Sequence, residues 1–169
     1  MGPGRFLAGI GALIRCSSSQ RYLFLKRAPT KDVGAGLWEC VTGRVDQGEG
    51  FEEALHREVD EETGLAVQID FIIGTSHFYR GPTRPDNELL GVTYSCSVLG
   101  DQGQPPAIRP SGEHSEYGWL LAEEALELLA HPDPGTRWNR TTLERAETIR
   151  RQLPSNLGLF YRRGFELNE

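Results

Sequence analysis

The residues best equipped for chemistry lie together between positions 49 and 62. That stretch holds Glu49, Glu52, Glu53, Glu58, Asp60, Glu61 and Glu62 against one base, Arg57. The remainder of the 169-residue chain carries 17 acids and 17 bases, so the whole formal charge of −6 sits in this segment. Residues 51–63 have a helical pattern, and Gly64 follows as a helix-ending residue. At about 100° per residue, Glu61 and Glu62 fall within about 60° of Glu58, and Phe51, Ala54 and Leu55 share the same sector. The acids therefore continue the apolar stripe toward the helix C-terminus. Two penalties follow. Like charges three and four residues apart repel, and acids at the negative end of the helix dipole cost roughly 0.3–1 kcal/mol each. Either a bound divalent cation or Lys and Arg brought from elsewhere in the fold relieves both. Hard oxygen ligands favour Mg²⁺ or Mn²⁺ over Zn²⁺.

The spacing sharpens this choice. Residues 43–65 read G-R-V-D-Q-G-E-G-F-E-E-A-L-H-R-E-V-D-E-E-T-G-L. Gly43, Glu49, Arg57-Glu58, Glu61-Glu62, Gly64 and the aliphatic Val59 and Leu65 fill every fixed position of the Nudix box, so the chain resembles the Nudix (MutT-like) hydrolases. The likeness covers about residues 5–153. It implies an α/β fold, an α/β/α sandwich around a mixed sheet, and metal-assisted hydrolysis of a diphosphate linkage. Glu58, Glu61 and Glu62 then become metal ligands, joined by the carbonyl of Gly43. Arg57 pairs with Glu53 or Glu61 and orients a carboxylate. Glu49 closes the loop at the favourable end of the dipole or acts as an outer ligand. In relatives a glutamate before the closing Trp-containing strand serves as ligand or base. Glu113 and Glu116 are the candidates for that role here, Glu113 being favoured for its place on a mobile loop, and Glu61 is the rival base on the helix.

Substrate selection falls outside the box. Lys26-Arg27 ends a strand and could touch phosphate. Phe78-Tyr79 stand beside Arg80 and Arg84, an arrangement for stacking on a base and capturing phosphate, or else a solvated loop. Before the box the chain reads Trp38-Glu39-Cys40-Val41-Thr42-Gly43, where many relatives have Pro-Gly-Gly. With Glu113-His114 and Trp119, this resembles members acting on dihydroneopterin triphosphate or nucleoside triphosphates. Dinucleoside polyphosphates, ADP-ribose and nucleotide sugars are the alternatives, and a non-catalytic module sensing a phosphorylated metabolite is the other class. His56 and His114 read as surface histidines, and the three tryptophans as packing residues.

The elements that must position these groups are strands at residues 6–15, 22–25, 37–41, 67–79, 89–99 and 117–121, with helices at 51–63, 123–130 and 138–153. Residues 81–87 and 101–112 are Pro- and Gly-containing loops. This reads as a single domain, with residues 154–169 as a tail. The negative charge argues against binding long nucleic acid, and no apolar run reaches the roughly 18 residues of a membrane span. Arg5 and the apolar run after it resemble a signal peptide, but no A-x-A site follows, and a buried first strand is the better reading. Three widely spaced cysteines form no CxxC pair or disulfide framework, which fits a reducing, cytoplasmic setting. The expected partner is a small nucleotide-like molecule, and the expected state a monomer or homodimer.

Overall fold

The computed structural model describes residues 4–154 and 164–167. Seven strands form one sheet: β1 (Leu7–Cys16), β2 (Arg21–Arg27), β3 (Trp38–Glu39), β4 (Val41–Arg44), β5 (Val67–Tyr79), β6 (Glu88–Val98) and β7 (His114–Leu120). Three helices flank it: α1 (Phe51–Thr63), α2 (Ala122–Leu128) and α3 (Pro134–Gln152). The main path runs β3-β2-β1-β6-β5, with β4 also paired to β1 and β7 to β2. Only β1 and β6 pair in parallel among these contacts, so the sheet is mixed, as expected.

The continuous apolar runs of β1 and β2 are explained by burial on both sides of the sheet. Ile10, Ala12 and Ile14 of β1, with Leu23 and Leu25 of β2, point to a core shared with Ala54, Leu55 and Val59 of α1. Leu13, Tyr22 and Phe24 point the other way, onto Ala125 of α2 and onto Leu143 and Ala146 of α3. Alternate residues thus feed two cores, and α1 lies on one face with α2 and α3 on the other.

Helix α1 and strand β5 have the expected bounds, and Gly64 takes the left-handed conformation, φ 72°, that ends α1. Other boundaries differ. Residues 37–41 do not make one strand. The chain breaks at Cys40, with Trp38–Glu39 pairing to β2 and Val41–Arg44 to β1. At the break the Cys40 N–H donates to Asn139 Oδ1 of α3 at 2.9 Å. The last helix starts four residues before the expected Trp138. Asp133 caps it by accepting from the N–H groups of Gly135 and Thr136, and Pro134 occupies its first turn. Asp133-Pro134-Gly135, ahead of the expected start, is the helix start. The closing strand begins at His114 rather than Tyr117 because it pairs with β2 along its whole length, with an irregularity at Lys26/Arg27. Contact with the core also reaches into the expected tail, since Phe165 packs against the α1 cluster.

Asn139 joins the second helix layer to the strand break just before Gly43. Asn139→Ala leaves the buried Cys40 N–H without its acceptor, and an unsatisfied buried donor costs about 1–3 kcal/mol. The expected result is a lower midpoint in urea unfolding. An unchanged midpoint would mean that Cys40 finds another acceptor.

Candidate active site

The box loop is organised by Arg57. Its Nε meets Glu49 Oε1 at 2.6 Å and its Nη2 meets Glu49 Oε2 at 2.8 Å, a bidentate pair. The same guanidinium reaches Glu58 Oε1 at 3.0 Å, Glu61 Oε2 at 3.5 Å and the Arg44 carbonyl at 2.9 Å. Of the two expected partners Glu61 is met, while the strong pairing goes to Glu49 on the preceding loop. Helical spacing has no means of showing that contact. Glu49 also accepts the Asp46 N–H at 2.9 Å, and Arg57 together with that donor holds its carboxyl down to about 2. Glu58 accepts the Arg44 N–H at 3.1 Å, which brings its carboxylate over Gly43. A Cβ on Gly43 would overlap the Glu58 side chain, so the glycine is required by this close approach rather than by its φ.

Glu62 is the opposite case. It is only 8% exposed, and its Oε2 has no hydrogen-bond partner among the described residues. Burial, then the charges of Glu39, Glu58 and Glu113, push its carboxyl up to about 9, with Arg27 pulling the other way. Glu39 was given no role in the sequence analysis, yet its charge is the largest electrostatic influence on Glu62. Its Oε1 is held by Arg27 Nη1 at 2.7 Å and by His114 Nε2 at 3.2 Å. His114 is therefore not a surface histidine: strand pairing carries it inward, and it is 8% exposed. Cys40, also buried beside these acids, has its thiol raised by burial, Glu39 and Glu62.

The last turn of α1 is tied to residues 101–112. Arg109 N–H donates to the Thr63 carbonyl and Ser111 N–H to the Glu62 carbonyl, both at 3.1 Å. These donors meet carbonyls that a helix end leaves open, and Glu113, two residues beyond Ser111, lies within electrostatic reach of Glu62. Glu113 is held rather than loose. Lys31 Nζ lies 2.6 Å from its Oε2 and keeps its carboxyl below the usual range, and its carbonyl accepts the Ala28 N–H at 2.8 Å. Glu116 lies on β7, paired with Lys26 at 2.8 Å, and its side chain is half exposed.

Among the expected substrate residues, Arg27 is engaged by Glu39 and by the Val33 carbonyl. Arg80 stands close enough for Arg44 and Arg27 to lower its pKa, after desolvation, while Glu113 and Glu39 raise it. Arg80 thus lies within electrostatic reach of Arg27, Arg44, Glu39 and Glu113. Phe78 and Arg84 are exposed, and no described contact joins them to this cluster. His56 is exposed, as expected.

A divalent cation suits this donor set. The oxygens are hard, the buried Glu62 Oε2 lacks a partner, and Gly43 leaves the Glu58 carboxylate free to lie against the backbone. Among the described residues no three acids already converge as a closed cage; Glu58 faces Arg57, and the Glu61 side chain is 60% exposed.

The model of the NUDIX domain matches residues 5–145. The chain belongs to the Nudix family. An octanoyltransferase of Myxococcus xanthus is 31% identical over 109 residues, 64% of this chain and 29% of that protein. A putative 8-oxo-dGTP diphosphatase of Bacillus subtilis (strain 168) is 36% identical over 100 residues, 59% of this chain and 60% of that protein. The chain thus spans less than two thirds of the length of these curated relatives. The crystal structure of a MutT protein from Methanosarcina mazei Go1 superposes with a TM-score of 0.67 at 24% identity, covering 90% of this chain and all of that one, a likeness of fold. No described helix is long and apolar enough to cross a membrane.

Glu62 generates a prediction with a definite sign. Its folded pKa is raised from 4.5 to about 9, so its contribution to stability is fully present below about pH 4.5 and is lost as pH rises toward 9. Glu62→Gln removes the titration. In excess chelator, the variant should melt above the wild type by a margin that widens from pH 5 to pH 9. A margin independent of pH would show that Glu62 is not buried as a charge.

Proposed function

We propose that the chain hydrolyses a phosphoanhydride bond in a nucleoside triphosphate, or in a related nucleoside or pterin diphosphate-X compound, with Mg²⁺ or Mn²⁺ as cofactor. The observation that carries this reading is the buried Glu62 carboxylate of the box helix, unpartnered at Oε2 among the described residues and set among the charges of Glu39, Glu58 and Glu113. A fold that needed only a stable helix would not spend three acids at its negative end. The name of the Bacillus subtilis relative, a diphosphatase of a modified nucleoside triphosphate, agrees with the substrate class. Three free, buried cysteines agree with a reducing, cytoplasmic setting.

The side chains divide the work. Glu58, Glu61, Glu62 and the Gly43 carbonyl would hold the cation, which when bound neutralises phosphate oxygens and aligns the attacking water. Arg57 fixes the direction of Glu58 through the Glu49 clamp, so it positions a ligand without touching substrate. Arg27, Arg44 and Arg80 place positive charge at the edge of the acidic site, where a polyphosphate chain finds its counter-charge. For the base we favour Glu113 over Glu116. Glu113 lies within electrostatic reach of Glu62, whereas Glu116 pairs outward with Lys26. A carboxylate held by Lys31 is a weak base, so Glu113 gains basicity when that pair opens. Glu61, more exposed than Glu58 and Glu62, is the alternative.

The test is release of phosphate or pyrophosphate from nucleoside triphosphates, pterin triphosphate, dinucleoside polyphosphates and ADP-ribose, with Mg²⁺, with Mn²⁺ and in excess chelator. Activity should be highest on a triphosphate and absent in chelator, and Glu62→Gln should lower turnover by about 10²-fold or more, the scale of losing a preorganised charge. No turnover on any compound, with tight binding of one, would favour the sensing module instead. Arg80→Ala should raise KM by roughly tenfold, about 1.4 kcal/mol of binding, and Arg84→Ala should stay near wild type. Equal effects at both positions would remove the distinction between rim and loop. Glu113→Gln should lower kcat at saturating metal and flatten the acid limb of the pH–rate profile. Wild-type behaviour there moves the base to Glu61.

A further inference from the structure

Helix α1 begins without a cap from its own neighbourhood. Gly50 stands at the N-cap position and has no side chain to offer, although a helix leaves its first N–H groups open. Residues 164–167, more than a hundred positions away, supply the missing acceptor. The Glu166 carboxylate accepts the Phe51 N–H at 2.5 Å. In return Glu52, in the first turn, accepts the Glu166 N–H at 2.9 Å and the Phe165 N–H. Each segment thus gives a carboxylate to the other's backbone, and both acids sit at the positive end of the helix dipole. Phe165 anchors the contact by packing into the α1 core cluster, edge-on to Tyr94 with ring centroids 6.2 Å apart. Both glycines at the contact lie too close for a side chain: a Cβ on Gly50 would overlap Glu166, and one on Gly164 would overlap Glu52.

The cap adjoins the groups that organise the site. Gly50 directly follows Glu49, Glu49 holds Arg57, and Arg57 holds Glu58. We propose that residues 164–167 form a clasp in which Glu166 caps α1 and Phe165 anchors it, so that the C-terminal segment positions the Glu49–Arg57–Glu58 network. Glu166 is then a positioning residue remote from the reacting atoms. The consequence for catalysis rests on the hydrolase reading above, whereas the consequences for the helix and for the bare metal do not.

The experiment uses full-length Glu166→Ala, Glu166→Gln and Phe165→Ala with three readouts: hydrogen exchange of the first-turn α1 amides, Mn²⁺ affinity without substrate, and steady-state hydrolysis. Glu166→Ala should speed exchange of the amides of residues 51–54 by tenfold or more while leaving the β1 amides protected. It should weaken Mn²⁺ several-fold and lower kcat more than it changes KM. Glu166→Gln keeps an acceptor oxygen and should recover part of each effect, which a merely lost packing contact would not. Phe165→Ala should act in the same direction. First-turn exchange at the wild-type rate in Glu166→Ala overturns the clasp. Faster exchange with wild-type Mn²⁺ affinity and kcat overturns the positioning role. If the wild type hydrolyses nothing, the exchange and Mn²⁺ readouts still decide the clasp, and only the functional reading falls. Should Glu166→Ala fail to fold, Glu166→Gln decides by the same readouts.

Discussion

The arrangement turns on one costly placement, the burial of the Glu62 carboxylate among other acids. A charge taken out of water without a partner is expensive, and in metal-free protein it is relieved by taking up a proton. The rest of the site reads as a response to that cost. Arg57 is spent on Glu49 and Glu58 rather than on Glu62. Arg27, whose charge lowers the Glu62 pKa, is bonded to Glu39. The protein therefore neutralises the acids around Glu62 in part and leaves its buried Oε2 without a partner among the described residues, an arrangement suited to a hard cation.

Holding such a charge requires a rigid frame, and the sheet supplies it. The antiparallel pairing of β4 with β1 places Gly43 opposite Ile10 and the loop to α1 beside the sheet edge. The break at Cys40 lets one continuous stretch serve two neighbours: Glu39 stays with β2, next to Arg27, while Gly43 goes to β1. Asn139, from the helix layer on the other face, satisfies the backbone at that break. The closing strand then brings His114 inward against Glu39. Each of these contacts comes from a different element, so the acidic cluster depends on the whole β1–β2–β7 assembly and not on α1 alone.

Charge is distributed in the same economical way around the helix itself. Basic residues are absent from the last turn of α1, where they would usually offset the dipole. Backbone N–H groups of Arg109 and Ser111 meet the open carbonyls there instead. These donors carry no net charge, so they close the helix end without neutralising Glu61 and Glu62. At the other end the cap is a carboxylate, Glu166, which adds to the acids already favoured by the dipole. Both termini of the helix are thus completed by backbone or side-chain groups from distant segments, and the turn bearing Glu61 and Glu62 is left acidic.

The sequence by itself determined what local periodicity and fixed spacing encode. It set the bounds of α1 and β5, the concentration of acids on α1 and, through the likeness to the Nudix box, the α/β/α layering around a mixed sheet. Helical and strand repeats reach only a few residues, so they determine which side chains share a face but not what that face meets. That was decided by tertiary pairing. Glu39 and His114 are 75 positions apart, and both were passed over because their relation exists only once β3 and β7 flank β2. Arg44, at the end of β4, and Arg80, just past β5, likewise come within electrostatic reach only through tertiary pairing. Between Glu113 and Glu116 the sequence offered two acids of one kind near one strand start, and the register of β7 against β2 separated them, one held beside Glu62 and the other paired outward with Lys26. The cap of α1, 115 positions from the N–H it accepts, had no local signature beyond a glycine where a capping side chain would stand.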